Sequence, residues 1–370
     1  MPSSMPCLHP IARSYWQHLL CAHFLHKQQY RHAKSELAKK VAPQDTPKGP
    51  LQIIVSIADQ QLSLYDNGAL IARSSVSTGV QGHPTPLGVF SVISKERWHR
   101  SNIYSGAPMP YMQRITWSGI ALHAGVVPGH PASHGCIRLT NDFAIRLWHL
   151  AKRGTRVIIA SHDVRPVEIA NSHLFVSKPK AASVSPESSA VTVAGNNNNT
   201  APATHGALLS DAETPEVTNF QIPGSIPAGV APQKVVPISV FVSRKLSRLF
   251  VRQGFTPLFD VPVRIQNPEQ PLGTHVFTAM DYQSDGASIR WTVVSLPEEF
   301  SRTKKREGLA TPPSVTLPDK ANDALDRIEI PREAIEQISQ FLTPGSSLII
   351  SDYGISHETG TDTDFIVETH

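Results

Sequence analysis

Cysteine is scarce in this chain, which has three among its 370 residues. Long apolar runs are missing as well, since no stretch approaches the roughly 20 residues that a membrane-spanning helix needs. Basic runs with interleaved aromatic residues, the usual signature of single-stranded nucleic-acid binding, are also absent. The formal net charge of +4 is mildly basic, which suits an anionic polymer but is too diffuse to indicate nucleic acid. The sequence therefore predicts neither a membrane span nor a nucleic-acid partner.

The composition is that of a globular protein. Hydrophobic residues make up 40% of the chain and charged residues 17%, and the length favours two or three domains. Changes in residue pattern divide the chain into residues 1–50, 51–165, 166–235, 236–358 and 359–370. We interpret the second and fourth segments as folded domains, the third as a disordered linker and the last as a tail. We expect the protein to be a monomer.

Residues 117–139 bring together the groups that can do chemistry. A short apolar run, typical of a buried strand, ends at His123. A loop rich in glycine and proline follows and leads to Ser133, His134, Gly135 and Cys136. In a chain with so few cysteines, a thiol among histidines, a hydroxyl and a glycine favours a nucleophile.

A nucleophilic thiol needs partners. A free thiol has a pKa of about 8.5 and is mostly protonated at neutral pH, so an imidazole must take its proton and later return it to a leaving amine. His123, at a strand end, is a better candidate for this base than His134. The N–H groups of Gly135 and Cys136 could converge in an oxyanion hole, and Arg138 could hold a substrate carboxylate with its fork of donors.

This pattern resembles a known family. His123, nine further residues, and then the run Ser-His-Gly-Cys-Ile-Arg-Leu at 133–139 are similar to the signature of the L,D-transpeptidase catalytic domain, the YkuD-type family. The runs Ser-Thr-Gly at 77–79 and Pro-Thr-Pro-Leu-Gly-Val-Phe at 84–90 resemble its other recurrent segments, in the same order. The resemblance covers residues 52–160 and implies a mainly β, sandwich-like fold.

The resemblance also implies roles for individual residues. It makes Cys136 the nucleophile, His123 the base and Arg138 a substrate clamp, while the backbone carbonyl of Ala124 orients the histidine ring. It also implies that three residues shape the loop or donate to the oxyanion, namely Ser133, His134 and Gly135.

The implied function is a cysteine acyltransferase acting on peptidoglycan stem peptides through a thioester, in cell-wall cross-linking or remodelling. It requires no cofactor and no metal. A periplasmic or cell-envelope location is implied, although residues 1–50 form an atypical export segment: their apolar stretch is interrupted by polar residues. Cys7 and Cys21 fall in that segment, either as a disulfide or as two unpaired thiols.

Other interpretations stay open at this point. The side chains of His123, His130, His134 and Cys136 are permissible zinc ligands, although their spacing fits no common structural zinc pattern. Cys136 could instead be a small apolar core residue. An L,D-carboxypeptidase would use the same residues with water as the acceptor, and a wall-binding protein would use none of them for chemistry.

The pattern around these motifs predicts strands and one helix. Period-two alternation begins at Leu51, and the run Asp-Asn-Gly at 66–68 is typical of a hairpin turn. After the thiol, Asn141 is predicted to cap a helix with an apolar face, and residues 156–160 form a closing strand.

Residues 236–358 repeat the pattern of the first domain without its nucleophile. The strand-like run at 238–242 corresponds to residues 53–57, and the run Pro-Leu-Gly at 271–273 corresponds to residues 86–88. A helix predicted after Pro331 and a strand at 348–351 complete the parallel. Neither cysteine nor histidine occurs between Ser295 and Ile330. We therefore predict a degenerate, catalytically silent second copy that binds glycan or covers the active copy.

Overall fold

The computed structural model describes residues 46–101, 106–177, 236–285, 288–297, 317–360 and 362–369. This part of the chain is mainly β, with nineteen strands and three helices. None of its helices is both long and apolar enough to cross a membrane. Cys7, Cys21, most of the predicted linker and the charged run at 304–307 lie outside the described residues.

The first half contains ten strands and one helix. They are β1 (Leu51–Ser56), β2 (Gln61–Asp66), β3 (Ala69–Ser77), β4 (Leu87–Ser91), β5 (Ser94–Arg100), β6 (Pro108–Arg114), β7 (Ala121–Ala124), β8 (Ile137–Leu139), α1 (Asn141–Leu150), β9 (Arg156–Ala160) and β10 (Val167–Ile169).

The second half contains nine strands and two helices. They are β11 (Ile238–Ser243), β12 (Arg248–Gln253), β13 (Thr256–Pro262), β14 (Arg264–Ile265), β15 (Thr274–Tyr282), β16 (Ile289–Leu296), α2 (Leu317–Asp326), β17 (Ile328–Glu329), α3 (Arg332–Phe341), β18 (Ser347–Ser351) and β19 (Val367–Thr369).

The first sheet has the order β19-β4-β9-β1-β2-β3-β8-β7-β6-β5. The predicted hairpin between β2 and β3 is confirmed, because Asn67 and Gly68 both have positive φ angles, 51° and 82°, as the tightest hairpin turns require. Helix α1 packs its buried face, which includes Phe143 and Leu147, against this sheet. The predicted cap was wrong: Asn141 is the first helical residue, and Thr140 occupies the N-cap without a side-chain hydrogen bond.

The second sheet has the order β10-β16-β15-β18-β11-β12-β13. Its central pairings match those of the first sheet, but the predicted correspondence of residues 238–242 with 53–57 was wrong by two residues, because the pairings align them with residues 51–55. Strand β11 pairs antiparallel with β12 and parallel with β18, as β1 does with β2 and β9. Strand β15 pairs antiparallel with β18, as β4 does with β9. This shared scheme supports the predicted second copy.

The two sheets share a buried core. One face of each packs against the other through residues at matching register positions, which are Ile54 and Phe241, Val89 and Val276, and Ile158 and Ile349. Burial on both faces explains why β1 and β9 are almost continuously apolar rather than alternating.

Each half also contributes a strand to the other. Strand β10 follows the first half in sequence but pairs with β16, and β19 lies at the end of the chain but pairs with β4. The ordered first half therefore extends past the predicted boundary at residue 165: Leu174 and Phe175 are buried in the second core. The predicted tail at 359–370 likewise contains a strand. Both segments are short, and each is ordered by pairing with a strand at the edge of the other half's sheet.

Candidate active site

The candidate site lies where β7 and β8 run side by side. These strands are parallel, and Leu122 pairs with Ile137 while His123 pairs with Arg138. Leu122 and Ile137 point into the core, so the alternation of strand side chains sends His123 and Arg138 to the opposite face. Cys136, one residue before β8, lines the same cleft as both, which has a volume of about 730 Å³. The register of two short strands thus brings base and thiol to one surface.

His123 is buried and held in one orientation. Its Nδ1 donates to the carbonyl oxygen of Ala124 at 2.9 Å, and because a carbonyl can only accept, Nδ1 carries the proton and Nε2 is the basic atom of the neutral ring. Burial lowers the pKa of His123, as do the charges of Arg138 and His99, while the bond to Ala124 opposes the shift. The ring therefore stays neutral, and able to accept a proton, to a pH below its ordinary value of about 6.5.

Cys136 rests as a neutral thiol. Its Sγ donates to the carbonyl oxygen of Gly119 at 3.6 Å, and burial raises its pKa. A hydrogen bond from the backbone of Ala121 and the charges of Arg114 and Arg138 partly offset that rise. With the pKa of the base lowered and that of the thiol raised, the neutral pair is favoured over the ion pair.

The loop before the thiol is closed by its own serine. Ser133, almost fully buried, donates through Oγ to the carbonyl oxygen of Cys136 at 2.5 Å and accepts the Gly135 N–H at 3.2 Å. Gly135 has a φ of 107°, and an added Cβ there would lie 2.6 Å from Ile120 Cδ1. The Gly135 amide is thus occupied within the loop, which favours a loop-shaping role and leaves the Cys136 N–H as the candidate oxyanion donor.

A second layer of polar contacts supports this loop. Thr85 Oγ1 donates to the carbonyl oxygen of Gly135 at 2.7 Å and accepts the Gly79 N–H at 2.9 Å. Thr78 exchanges two hydrogen bonds with the buried amide of Gln60, at 2.6 and 3.0 Å. An added Cβ at Gly79 would lie 2.1 Å from the His83 carbonyl oxygen. The segments at 77–79 and 84–90 therefore support the loop that carries the thiol.

The remaining predicted residues divide between cleft and surface. His134 is exposed, lines the cleft, and has its ring centroid 4.9 Å from that of His83. His130 is exposed and bonded through Nδ1 to the Pro131 carbonyl. Among the residues that the structure describes, no group of three or more histidine, cysteine, aspartate or glutamate side chains is arranged to hold a metal ion.

Two basic residues of the cleft, Arg114 and His99, were not found by the sequence analysis. Arg114 lies on β6 and pairs across the sheet with Ala121, and His99 lies on β5, one strand further out. Both line the cleft. They share the cleft with Cys136 because the strand order is β8-β7-β6-β5. No local sequence pattern predicts that order.

One segment of the chain matches a known protein family. Residues 50–159 match the family model of the L,D-transpeptidase catalytic domain, YkuD. Over this segment the chain is similar to the L,D-transpeptidase family. The predicted resemblance is thereby confirmed for this segment, which includes every residue that lines the cleft.

The relatives share this domain rather than the whole chain. L,D-transpeptidase 1 of Mycobacterium tuberculosis is 31% identical over 107 residues, which are 25% of this chain and 43% of that protein. The chain therefore spans less than half the length of this curated relative. A solved L,D-transpeptidase from Stackebrandtia nassauensis is 26% identical, covering 31% of this chain and 57% of its own, with a TM-score of 0.28. An L,D-transpeptidase in complex with imipenem is 27% identical, covering 30% and 59%, with a TM-score of 0.29.

The raised pKa of the thiol gives a testable pH dependence. We expect alkylation of Cys136 by iodoacetamide to rise through a higher pH than that of an exposed cysteine, about 8.5, because burial disfavours the thiolate. Arg138→Met should move the midpoint further up, since the Arg138 charge lowers the thiol pKa. Peptide mapping by mass spectrometry isolates Cys136 from Cys7 and Cys21. A midpoint at or below that of free cysteine would contradict the neutral resting pair.

Proposed function

We propose that this protein is a cysteine acyltransferase that acts on peptidoglycan stem peptides, with Cys136 as nucleophile and His123 as base. One observation carries the proposal. The thiol and a neutral imidazole share the cleft face of two adjacent strands, and the hydrogen bond from Nδ1 to Ala124 leaves Nε2 as the basic atom. We place the reaction in the cell envelope, as the family implies.

The proposed reaction proceeds in two halves. Nε2 of His123 takes the thiol proton as Sγ attacks the carbonyl carbon of a stem-peptide amide, and the Cys136 N–H donates to the developing oxyanion. The C–N bond breaks, His123 returns the proton to the leaving amine, and a thioester forms. An acceptor amine then attacks the thioester carbonyl, His123 takes its proton, and the new amide leaves as the thiol is restored.

The charge of the cleft suits this substrate class. Arg138 on β8 and Arg114 on β6 both line the cleft, and the charge of each lowers the pKa of the Cys136 thiol. Guanidinium groups bind carboxylates through two parallel hydrogen bonds. Stem peptides carry free carboxylates, so we assign Arg138 to hold one of them near the scissile amide.

Mass spectrometry tests the proposal directly. Incubation with imipenem should add one acyl group per chain, mapped to Cys136. Incubation with muropeptides should release a terminal D-residue, and an added amine should appear in the new product. Hydrolysis alone, unchanged by added amine, would assign the chain to the L,D-carboxypeptidases instead. A chain that binds muropeptides but forms neither adduct nor product would contradict the acyltransferase proposal.

A further inference from the structure

A carboxylate from the second half reaches the turn beside the candidate nucleophile. Glu358 accepts the N–H of Trp117 at 2.6 Å and the N–H of Ser118 at 3.0 and 3.2 Å, from its two oxygens. Its side chain comes from a position 241 residues after Trp117, and Glu358 is only 5% exposed. Hydrogen bonds to an ionised, buried carboxylate are among the stronger ones in proteins. The turn at residues 116–119 is therefore held from outside the matched family domain.

The loop that presents Glu358 is itself anchored to the second sheet. Arg252, on β12, donates through Nη1 to the carbonyl oxygens of Gly360 at 2.8 Å and Thr363 at 2.6 Å. Its guanidinium also lies over the ring of Phe365, 5.3 Å from the centroid. The position of the carboxylate is thus set by the second half.

The same turn contacts the thiol. Gly119 ends the 116–119 turn with a φ of 113°, and its carbonyl oxygen accepts the hydrogen bond from Cys136 Sγ. Ser118 and Gly119 line the cleft together with Cys136. A chain of direct contacts therefore runs from Arg252 through the Glu358 loop and the turn to the sulfur atom.

We propose that Glu358 is a positioning residue for Cys136, so that the second half, which has no cysteine, completes the active site in the same chain. This inference rests on the proposed function for its catalytic consequence. The carboxylate fixes the two backbone N–H groups, these fix the Gly119 carbonyl, and the carbonyl orients the S–H group in the cleft. Without it, the turn loses its acceptors and the sulfur loses its fixed direction.

The test is Glu358→Gln in the full chain. An amide presents one acceptor oxygen and one donor group, so with its oxygen kept on the Trp117 N–H the variant removes the 3.0 Å bond to the Ser118 N–H and sets an NH₂ group against that N–H. We expect acylation by imipenem to slow by about tenfold or more, the factor that corresponds to one charge-assisted hydrogen bond. We also expect the midpoint of Cys136 alkylation by iodoacetamide to move to lower pH, because a carbonyl that accepts S–H favours the protonated thiol.

Matched variants separate positioning from stability. Glu329→Gln alters an exposed carboxylate of the second half, on β17, which accepts from Gln266 Nε2 at 2.9 Å; its acylation rate and alkylation midpoint should equal those of the unaltered chain. Glu358→Asp keeps the charge and should restore part of the acylation rate. Should Glu358→Gln fail to fold, Arg252→Met releases the loop carbonyls and should move both readouts in the same direction.

The two readouts also keep this inference apart from the proposed function. Iodoacetamide reports on the thiol whether or not the chain transfers acyl groups, so a shifted midpoint supports the positioning role even if no imipenem adduct forms. A Glu358→Gln chain that is less stable to heat but keeps the alkylation midpoint and acylation rate of the unaltered chain would overturn the inference.

Discussion

Cys136→Ala is expected to abolish both the imipenem adduct and all turnover of muropeptides, while the fold is retained. The reaction as proposed forms its only covalent bond to Sγ, so removal of the sulfur removes the atom that carries the acyl group. The cost in stability should be small, because Cys136 is only partly buried and packs at the margin of a small cluster formed by Met109, Met112 and Ala121. Intact mass and the thermal midpoint measure the two parts of this expectation.

Replacement of the proposed base, His123, should slow the reaction without abolishing it. His123→Gln should slow acylation by roughly 10²–10⁴-fold, the usual contribution of a positioned general base, and should leave the thiol available to iodoacetamide. His130→Ala is the matched control, since His130 is an exposed histidine whose Nδ1 bonds only its neighbour's carbonyl; its rate should be unchanged. An adduct that persists in Cys136→Ala, or equal loss of rate in both histidine variants, would contradict the assignment. Stoichiometric zinc that disappears in Cys136→Ala would favour the metal interpretation.

The arrangement of His123 and Cys136 in the candidate site is local enough to be predicted from sequence. His123 ends one strand and Cys136 begins the next, so thirteen positions of chain determine that the two meet once the strands are parallel neighbours. The role of Ser133 follows from the same short loop. By contrast, Arg114 and His99 enter the cleft through the order of strands, which depends on long-range packing rather than on any motif.

The second half also contains features that long-range packing determines and that its sequence does not predict. Its central strands were predicted because the apolar runs recur, and the pairings of β11 with β12 and β18 support that reading. The exchange of β10 and β19 was missed, since a three-residue strand carries almost no periodicity and is ordered only by the edge it joins. Glu358 looks like any charged residue of a loop, and only the fold shows which backbone amides it meets.

Removing one partner of a buried ion pair between the halves should be strongly destabilising. Arg156, on β9, donates through Nη2 to Asp364 Oδ2 at 2.7 Å and to Ser347 Oγ at 2.9 Å, and the two charged side chains are 8% and 6% exposed. Asp364 also accepts from Ser239 Oγ at 2.8 Å, on β11. The pair therefore joins a strand of the first sheet to the C-terminal segment and to the second sheet.

Asp364→Asn is expected to lower the free energy of unfolding by about 3–5 kcal/mol, because it leaves the Arg156 charge buried without its counter-ion. Arg156→Met should cost a similar amount, and the double variant should cost clearly less than the sum, since neither charge then stays unpaired. Urea denaturation measures all three. Glu336→Gln is the control: its pair with Arg332 spans 3.2 Å between largely exposed side chains, and such surface pairs contribute little. If Asp364→Asn shifts the urea midpoint no more than Glu336→Gln does, the buried pair is not what holds the halves together.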